Sequence, residues 1–223
     1  MKKFSLLTTI LSCLCISSCT APKHRVYHHG FSQETSNVFA SEILAQEFDT
    51  IERVLNILKE ASNQLKEGKS VPREVLYGII DIIENFSDKH HQEKEDKILF
   101  PFLKTVQDGD KIDFFGQLLL EHVLARDKIR ELSFAINNLY QGKKEKKMIT
   151  KISSSYIKLM KRHMKTEEKL LFPWMNTTLS HDDQVTLVEK FKAVEKEDIS
   201  AGVHEKYVAL IEEIENQLGL FSK

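Results

Sequence analysis

The chain has 223 residues, with 32 Lys and Arg against 33 Asp and Glu, for a formal net charge of −1. That balance excludes the basic excess of a nucleic-acid binder and the acidic excess of a solvating tail. Gly (8) and Pro (4) are scarce and 41% of residues are hydrophobic, so length and composition favour one domain of the all-α class with a large core.

The N-terminus comes first in chain order and stands apart from the fold. Lys2 and Lys3 precede a short apolar run, Phe4 to Ile16, which is too short to span a bilayer comfortably. The run ends in Ile16-Ser17-Ser18-Cys19, which resembles a bacterial lipobox. The resemblance implies cleavage before Cys19 and lipidation of Cys19. We therefore expect a signal peptide over 1–18 and an exported, lipid-anchored chain. Its anchor would sit in the cell membrane or outer membrane, with the domain in the periplasm or outside the cell. All three cysteines (Cys13, Cys15 and Cys19) lie in or beside this signal, so the domain has no disulfide and no thiolate ligand. Residues 19–40 are polar, carry Pro22 and Gly30, and read as a tether. Composition assigns His24, His28 and His29 to that linker rather than to a metal site.

Residues 41–223 form the expected domain. Ile43, Leu44, Phe48, Ile51, Val54, Leu55 and Leu58 recur at threes and fours, which predicts a first helix from Ser41 to about Glu67, stopped by Gly68. Pro72 suits the start of a second helix, which carries Leu76, Ile79, Ile80, Ile83 and Phe86, weakens after Pro101 and ends near Gly109. A third runs from about Asp113 to Gln141. Gly142 and the Lys143–Lys147 cluster read as a solvated turn, and a fourth helix begins near Lys147. Shorter amphipathic helices follow, from Asp182 to about Val194 and from His204 to about Leu218. Four long helices with short connections predict an up-down-up-down four-helix bundle, with two additional C-terminal helices outside it or across one end.

One phrase occurs twice. His91-x-x-x-Glu95-x-x-x-Leu99-Phe100-Pro101 in the second helix returns as His163-x-x-x-Glu167-x-x-x-Leu171-Phe172-Pro173 in the fourth. Four residues is just over one helical turn, so each His and Glu project from one face. The repeat extends outward: Leu44-x-x-Glu47-Phe48 in the first helix echoes Leu118-x-x-Glu121-His122 in the third. A single buried His is most often a satisfied core residue, and a single His-x-x-x-Glu is most often a surface pair. Two copies with identical tails, plus His122 on a neighbouring helix, point instead to a metal site built from His91, Glu95, His122, His163 and Glu167. Imidazole with carboxylate suits iron, manganese or zinc. Ferritin-like di-iron bundles use Glu-x-x-His; here the order is reversed and the spacing is four.

These residues resemble the hemerythrin-like, or HHE cation-binding, domain family. Phe86-Ser-Asp-Lys-His-His-Gln-Glu-Lys-Glu-Asp-Lys-Ile-Leu-Phe-Pro101 is similar to its second-helix signature, Glu121-His122-x-x-x-Arg126 to its third-helix motif and His163 to Pro173 to its fourth. Gly202-Val-His204-Glu-Lys-Tyr207 is similar to a frequent C-terminal segment. The resemblance covers about Ser41 to Leu218. It implies a hemerythrin-like bundle with a non-haem di-iron cofactor. Glu95 and Glu167 would bridge the irons, His122 and His163 would bind one of them, and His91 the other. An open position would meet a small diatomic ligand or peroxide. His90 would lie behind the ligands or face solvent.

The chain departs from the family pattern at Phe48. The usual first-helix motif is Glu-His-x-x-Ile, and here it is Glu47-Phe48-Asp49-Thr50-Ile51. Three outcomes follow: Glu52 substitutes, water fills the position and leaves an asymmetric centre, or the site is mononuclear. Arg126 stands where some members carry another His and would pair with a carboxylate. The leading expectation is a binding protein that takes up dioxygen or a related small oxidant, or holds iron. The alternatives are a di-iron oxidoreductase detoxifying peroxide or nitric oxide, and a metal-free degenerate scaffold. Trp174 and Met175 read as closing the bundle end, Phe114 and Phe115 as packing, His181 as exposed and His204 as structural.

Overall fold

The computed structural model describes residues 38–106, 112–138, 142–197 and 202–220. The expected signal peptide, Cys19, and His24, His28 and His29 of the expected tether lie outside these residues, as do Gly109 and Gln141. Among the described residues no helix is long and apolar enough to cross a membrane.

The first bundle helix, α1 (Ala40–Lys66), buries one stripe that includes Leu44, Phe48, Ile51, Val54, Leu55 and Leu58. It stops where expected. Gly68 adopts φ 84° and the Lys69 N–H donates to the Gln64 carbonyl at 2.9 Å, closing a left-handed C-terminal cap. The second rod runs through the stretch its pattern marks, in four pieces. It begins as α2 (Arg73–Ile82), widens into π1 (Ile83–Gln92) and π2 (Glu95–Leu99), and continues as α3 (Phe100–Val106) straight through Pro101. The third is α4 (Ile112–Asn137). The fourth joins α5 (Lys143–Thr166), π3 (Glu167–Leu171) and α6 (Phe172–Thr178), again through a proline, Pro173. In both rods a π turn immediately precedes the proline. The altered bonding there absorbs the missing N–H that would otherwise break the helix.

One element differs from the sequence reading. The lysines of Lys143–Lys147 form the opening turns of α5 rather than a solvated loop. Gly142, at φ 144°, directly precedes the helix, and Lys is a good helix former, with Glu145 in the first turn.

Neighbouring rods pack in a ring, α1 against α2, α2 against α4, α4 against α5 and α5 back on α1, as an all-α four-helix bundle requires. The two C-terminal helices pack outside it. The first, α7 (His181–Glu197), is capped by Ser180, whose Oγ accepts from the Asp183 N–H while Asp183 accepts from the Ser180 N–H. It holds the start of α1 through Gln184, whose Oε1 accepts from the Ala40 N–H at 3.0 Å. The second, α8 (Val203–Gln217), lies on α1 and α2. There Arg53 donates twice to Glu215, at 3.1 and 2.7 Å. Gly78 lets α8 approach: a Cβ at this position would stand 2.9 Å from Ile214 Cδ1.

Candidate metal centre

Both copies of the repeated phrase place their carboxylates in the same local structure. Glu95 opens π2 and Glu167 opens π3. In each the bond skips a residue further than in an α-helix: Phe100 N–H reaches the Glu95 carbonyl and Phe172 N–H reaches the Glu167 carbonyl. Such wide turns re-aim side chains and recur at functional sites. His91 lies at the end of π1, His163 at the end of α5, and α4 supplies His122.

The bundle draws these side chains to one buried point. Glu95, His122, His163 and Glu167 each offer a ligand atom, and those atoms all lie within 4.8 Å of one another. The Nε2 atoms of His122 and His163 face each other at 2.9 Å. Glu95 Oε2 stands 3.3 Å from His122 Nε2, and Glu167 Oε1 3.2 Å from His163 Nε2. His91 is at the edge of the group, its Nε2 3.7 Å from Glu95 Oε2. All five are buried.

A carboxylate holds each imidazole from behind. Glu47 Oε2 is 2.7 Å from His91 Nδ1, Asp96 Oδ1 is 2.6 Å from His122 Nδ1, and Glu121 Oε2 is 3.0 Å from His163 Nδ1. An Nδ1–H that donates to a carboxylate leaves the Nε2 lone pair aimed at the centre, the tautomer a metal ligand needs. These carboxylates are themselves anchored. Arg126 donates from Nε to Asp88 at 2.6 Å and from Nη2 to Asp96 at 2.7 Å. Arg162 donates to Glu121. Buried Lys94 donates to Glu47, and His90 Nε2 lies 3.1 Å from the same carboxylate.

The electrostatics follow from this packing. Burial opposes charge on Glu47, but Lys94, His90 and His91 outweigh it and hold the carboxyl far below the ordinary range. Burial likewise opposes charge on His163, yet Glu167, Glu121 and Glu95 push the ring up to about 10. The two central carboxyls divide: the surrounding histidines keep Glu95 low, whereas burial and the charge of Glu95 drive Glu167 up. Two carboxyls and two imidazoles around one point thus share protons that a cation can replace.

The decisive observation is what the protein leaves unsatisfied. His91 Nε2 and both oxygens of Glu95 and of Glu167 are buried without a hydrogen-bond partner. An unsatisfied buried polar atom costs about 1–3 kcal/mol, and more when charged. Such atoms converge on one point only where something else completes them. This donor set fits iron, manganese or zinc.

Several residues occupy places the sequence did not fix. Glu52 is exposed and is not among the four residues whose ligand atoms converge. Phe48 is buried there, with its ring 5.2 Å from His91 and 5.6 Å from Phe172. His90 is half-buried, supports Glu47 and stacks on Phe86 at 5.2 Å. Arg126 pairs with carboxylates as expected. Phe115 packs beside Trp174 at 5.5 Å and Met175 is buried, while His181 is exposed at the start of α7. Glu47, Glu121, Asp96 and Lys94 were given no site role from the sequence. The first two precede Phe48 and His122 at equivalent places of the repeat, which was the available signal. Asp96 and Lys94 carry none, because charges in a polar stretch of helix ordinarily face water.

A helical bundle with a buried His and carboxylate cluster defines a class of cation-binding proteins. The family model of the hemerythrin HHE cation binding domain matches residues 40–175, and the chain belongs to that family. Among curated proteins it is similar to uncharacterized proteins of Mycobacterium bovis and of two strains of Mycobacterium tuberculosis. Each is 24% identical over 187 residues, covering 82% of this chain and 72% of the relative. No solved structure matches significantly.

Proposed function

We propose that the chain is a non-haem iron protein that binds dioxygen or a related small oxidant, or holds iron, at a lopsided centre. Glu95, His122, His163 and Glu167 make its firm half. His91, with the shared carboxylates, makes a weaker second position, because Phe48 stands where a further imidazole would complete it. The orphaned atoms of His91, Glu95 and Glu167 carry this reading, and they weigh against a metal-free scaffold, which would keep buried charge at a cost with no return. Bound there, iron would supply a redox-active site with an open coordination position. The chain's own residues fix the imidazole tautomers and exclude bulk water. Ferrous loading without air, followed by desalting and admission of air, tests this. We expect retained iron and a visible absorption band that appears on aeration and is lost in His122→Ala/His163→Ala. A colourless, iron-free product from the wild-type chain contradicts it.

The same reading puts the domain outside the cytoplasm, tethered through lipid on Cys19. Its support is Lys2-Lys3, the short apolar run and the Ser17-Ser18-Cys19 junction. Cys19→Ala should move the chain from the membrane fraction to the soluble fraction. An unchanged membrane fraction contradicts the lipid anchor.

A further inference from the structure

The cluster is sealed differently on its two sides. Toward the Leu-Phe-Pro tails the wall is aromatic. Phe100 lies 6.0 Å from His122 and 6.1 Å from Phe115, Phe115 lies 5.5 Å from Trp174, and Phe48 stacks on Phe172. Stiff rings in mutual contact leave little room to open. On the other side, a cavity of about 220 Å³ is lined by Asp88, Gln92, Ala125, Arg126, Ile129 and Tyr156, among others. Its lining approaches the ligands along three rods. Gln92 adjoins His91, Ala125 is three residues beyond His122, and Tyr156 is seven before His163. Three residues of helix rise only about 4.5 Å.

On the fourth rod Met160 falls between cavity-lining Tyr156 and His163, at spacings of four and three along one helix face. Gln92 lines the cavity and is itself buried, and its Nε2 touches Met160 Sδ at 3.7 Å. Met160 is buried and sits three residues before His163, on the same helix face. Both side chains are unbranched and flexible, and a thioether is a weak acceptor for an amide. Beside them Arg126, tied to Asp88 and Asp96, forms a fixed wall.

We propose that this cavity is the entrance for exogenous small molecules, and that the Gln92–Met160 pair is the gate between it and the metal-binding residues. Rotation of two unbranched side chains admits molecules of two or three heavy atoms such as peroxide, azide or a diatomic gas. Larger oxidants stop in the cavity. The proposal rests on the metal reading for its purpose, but access to Met160 can be read without metal.

The metal-free, full-length chain therefore provides the first test. Hydrogen peroxide converts a methionine thioether to its sulfoxide and leaves water, and the rate follows access to the sulfur. Peptide mass spectrometry reads Met160 against exposed Met148. Gln92→Ala should speed Met160 oxidation about five-fold, and Ala125→Phe, which fills the cavity, should slow it about five-fold, with Met148 unchanged. In iron-loaded protein, Ala125→Phe should slow azide association about ten-fold at unchanged iron content, as a closed route requires. If Ala125→Phe does not fold, Ile129→Phe fills the same cavity, and Gln92→Ala removes bulk without adding any. Wild-type oxidation rates at Met160 in both kinds of variant overturn the route. Wild-type azide rates in a cavity-filled variant overturn its use by the metal centre. An iron-free wild-type chain would instead count against the metal reading, because the methionine measurement needs no metal.

Discussion

Glu47 accepts from the Nδ1 of His91 at 2.7 Å, and Glu121 does the same for His163 at 3.0 Å. These acids stand just before Phe48 and His122, at equivalent places of the two halves. The carboxylate behind each imidazole has therefore kept its twofold pattern although the next residue, Phe48 or His122, differs. Glu47 is fully built into the core although its neighbour is Phe. It orients His91 and offsets Lys94.

That relationship gives a stability prediction. Glu47→Ala strips buried Lys94 of this carboxylate and should cost about 3–5 kcal/mol in urea denaturation, in the range for breaking one member of a buried ion pair. Removing both charges, in Glu47→Gln/Lys94→Met, should recover most of the loss, because the pair is coupled. A single variant as stable as wild type would show that the pair is not the support described here.

Phe48→His should raise metal stoichiometry toward two irons per chain, measured by elemental analysis after desalting. The exchange gives up the stack on Phe172 and part of the burial of Phe48, so a stability loss of about 1–3 kcal/mol should accompany the gain. Two tightly held irons in the wild-type chain would show that the second position needs no extra imidazole.

Arg126→Ala frees Asp96 from its anchor and so loosens the proton on His122 Nδ1. Loss of such an indirect support typically weakens metal affinity about 10- to 100-fold, which chelator competition would detect. Arg126→Lys should restore only part of it, since an ammonium cannot hold Asp88 and Asp96 with one planar fork. Full affinity in Arg126→Ala would remove this residue from the account.

The raised His163 sets a pH dependence. Its ring ordinarily titrates at 6.5 and is pushed up to about 10 in the metal-free fold. The protonated ring therefore stabilises the metal-free chain fully below 6.5, and that contribution fades as pH rises through about 10. Metal must displace this proton. Uptake at neutral pH should release protons into a weak buffer, and affinity should climb with pH by up to about tenfold per unit. Proton-neutral uptake with a flat affinity would show that His163 is already unprotonated.

Much of the architecture was legible because periodicity reports burial directly. The stripe from Leu44 to Leu58, the Gly68 stop and the second phrase at His163 each appear where their spacing put them. The π turns were not legible, since the residues of Glu95–Leu99 and Glu167–Leu171 carry ordinary helix propensities and only tertiary packing widens them. The site shows the same division. Its five central side chains were marked by the repeat, whereas Lys94 and Asp96 were hidden because a charge on a helix reveals its direction only once its neighbours are in place. Glu52 shows the same limit. It shares a helix with Phe48 at spacing four, yet the bundle turns Phe48 inward and leaves Glu52 exposed.

The central claim is that Glu95, His122, His163 and Glu167 hold a metal ion inside the bundle. The most direct measurement is iron bound per chain after anaerobic ferrous loading and desalting, taken on wild type and on His122→Ala/His163→Ala, with helicity recorded for both. We expect at least one iron retained by the wild-type chain and none by the variant, with both still helical. Equal iron in the two, or none in either, would contradict it.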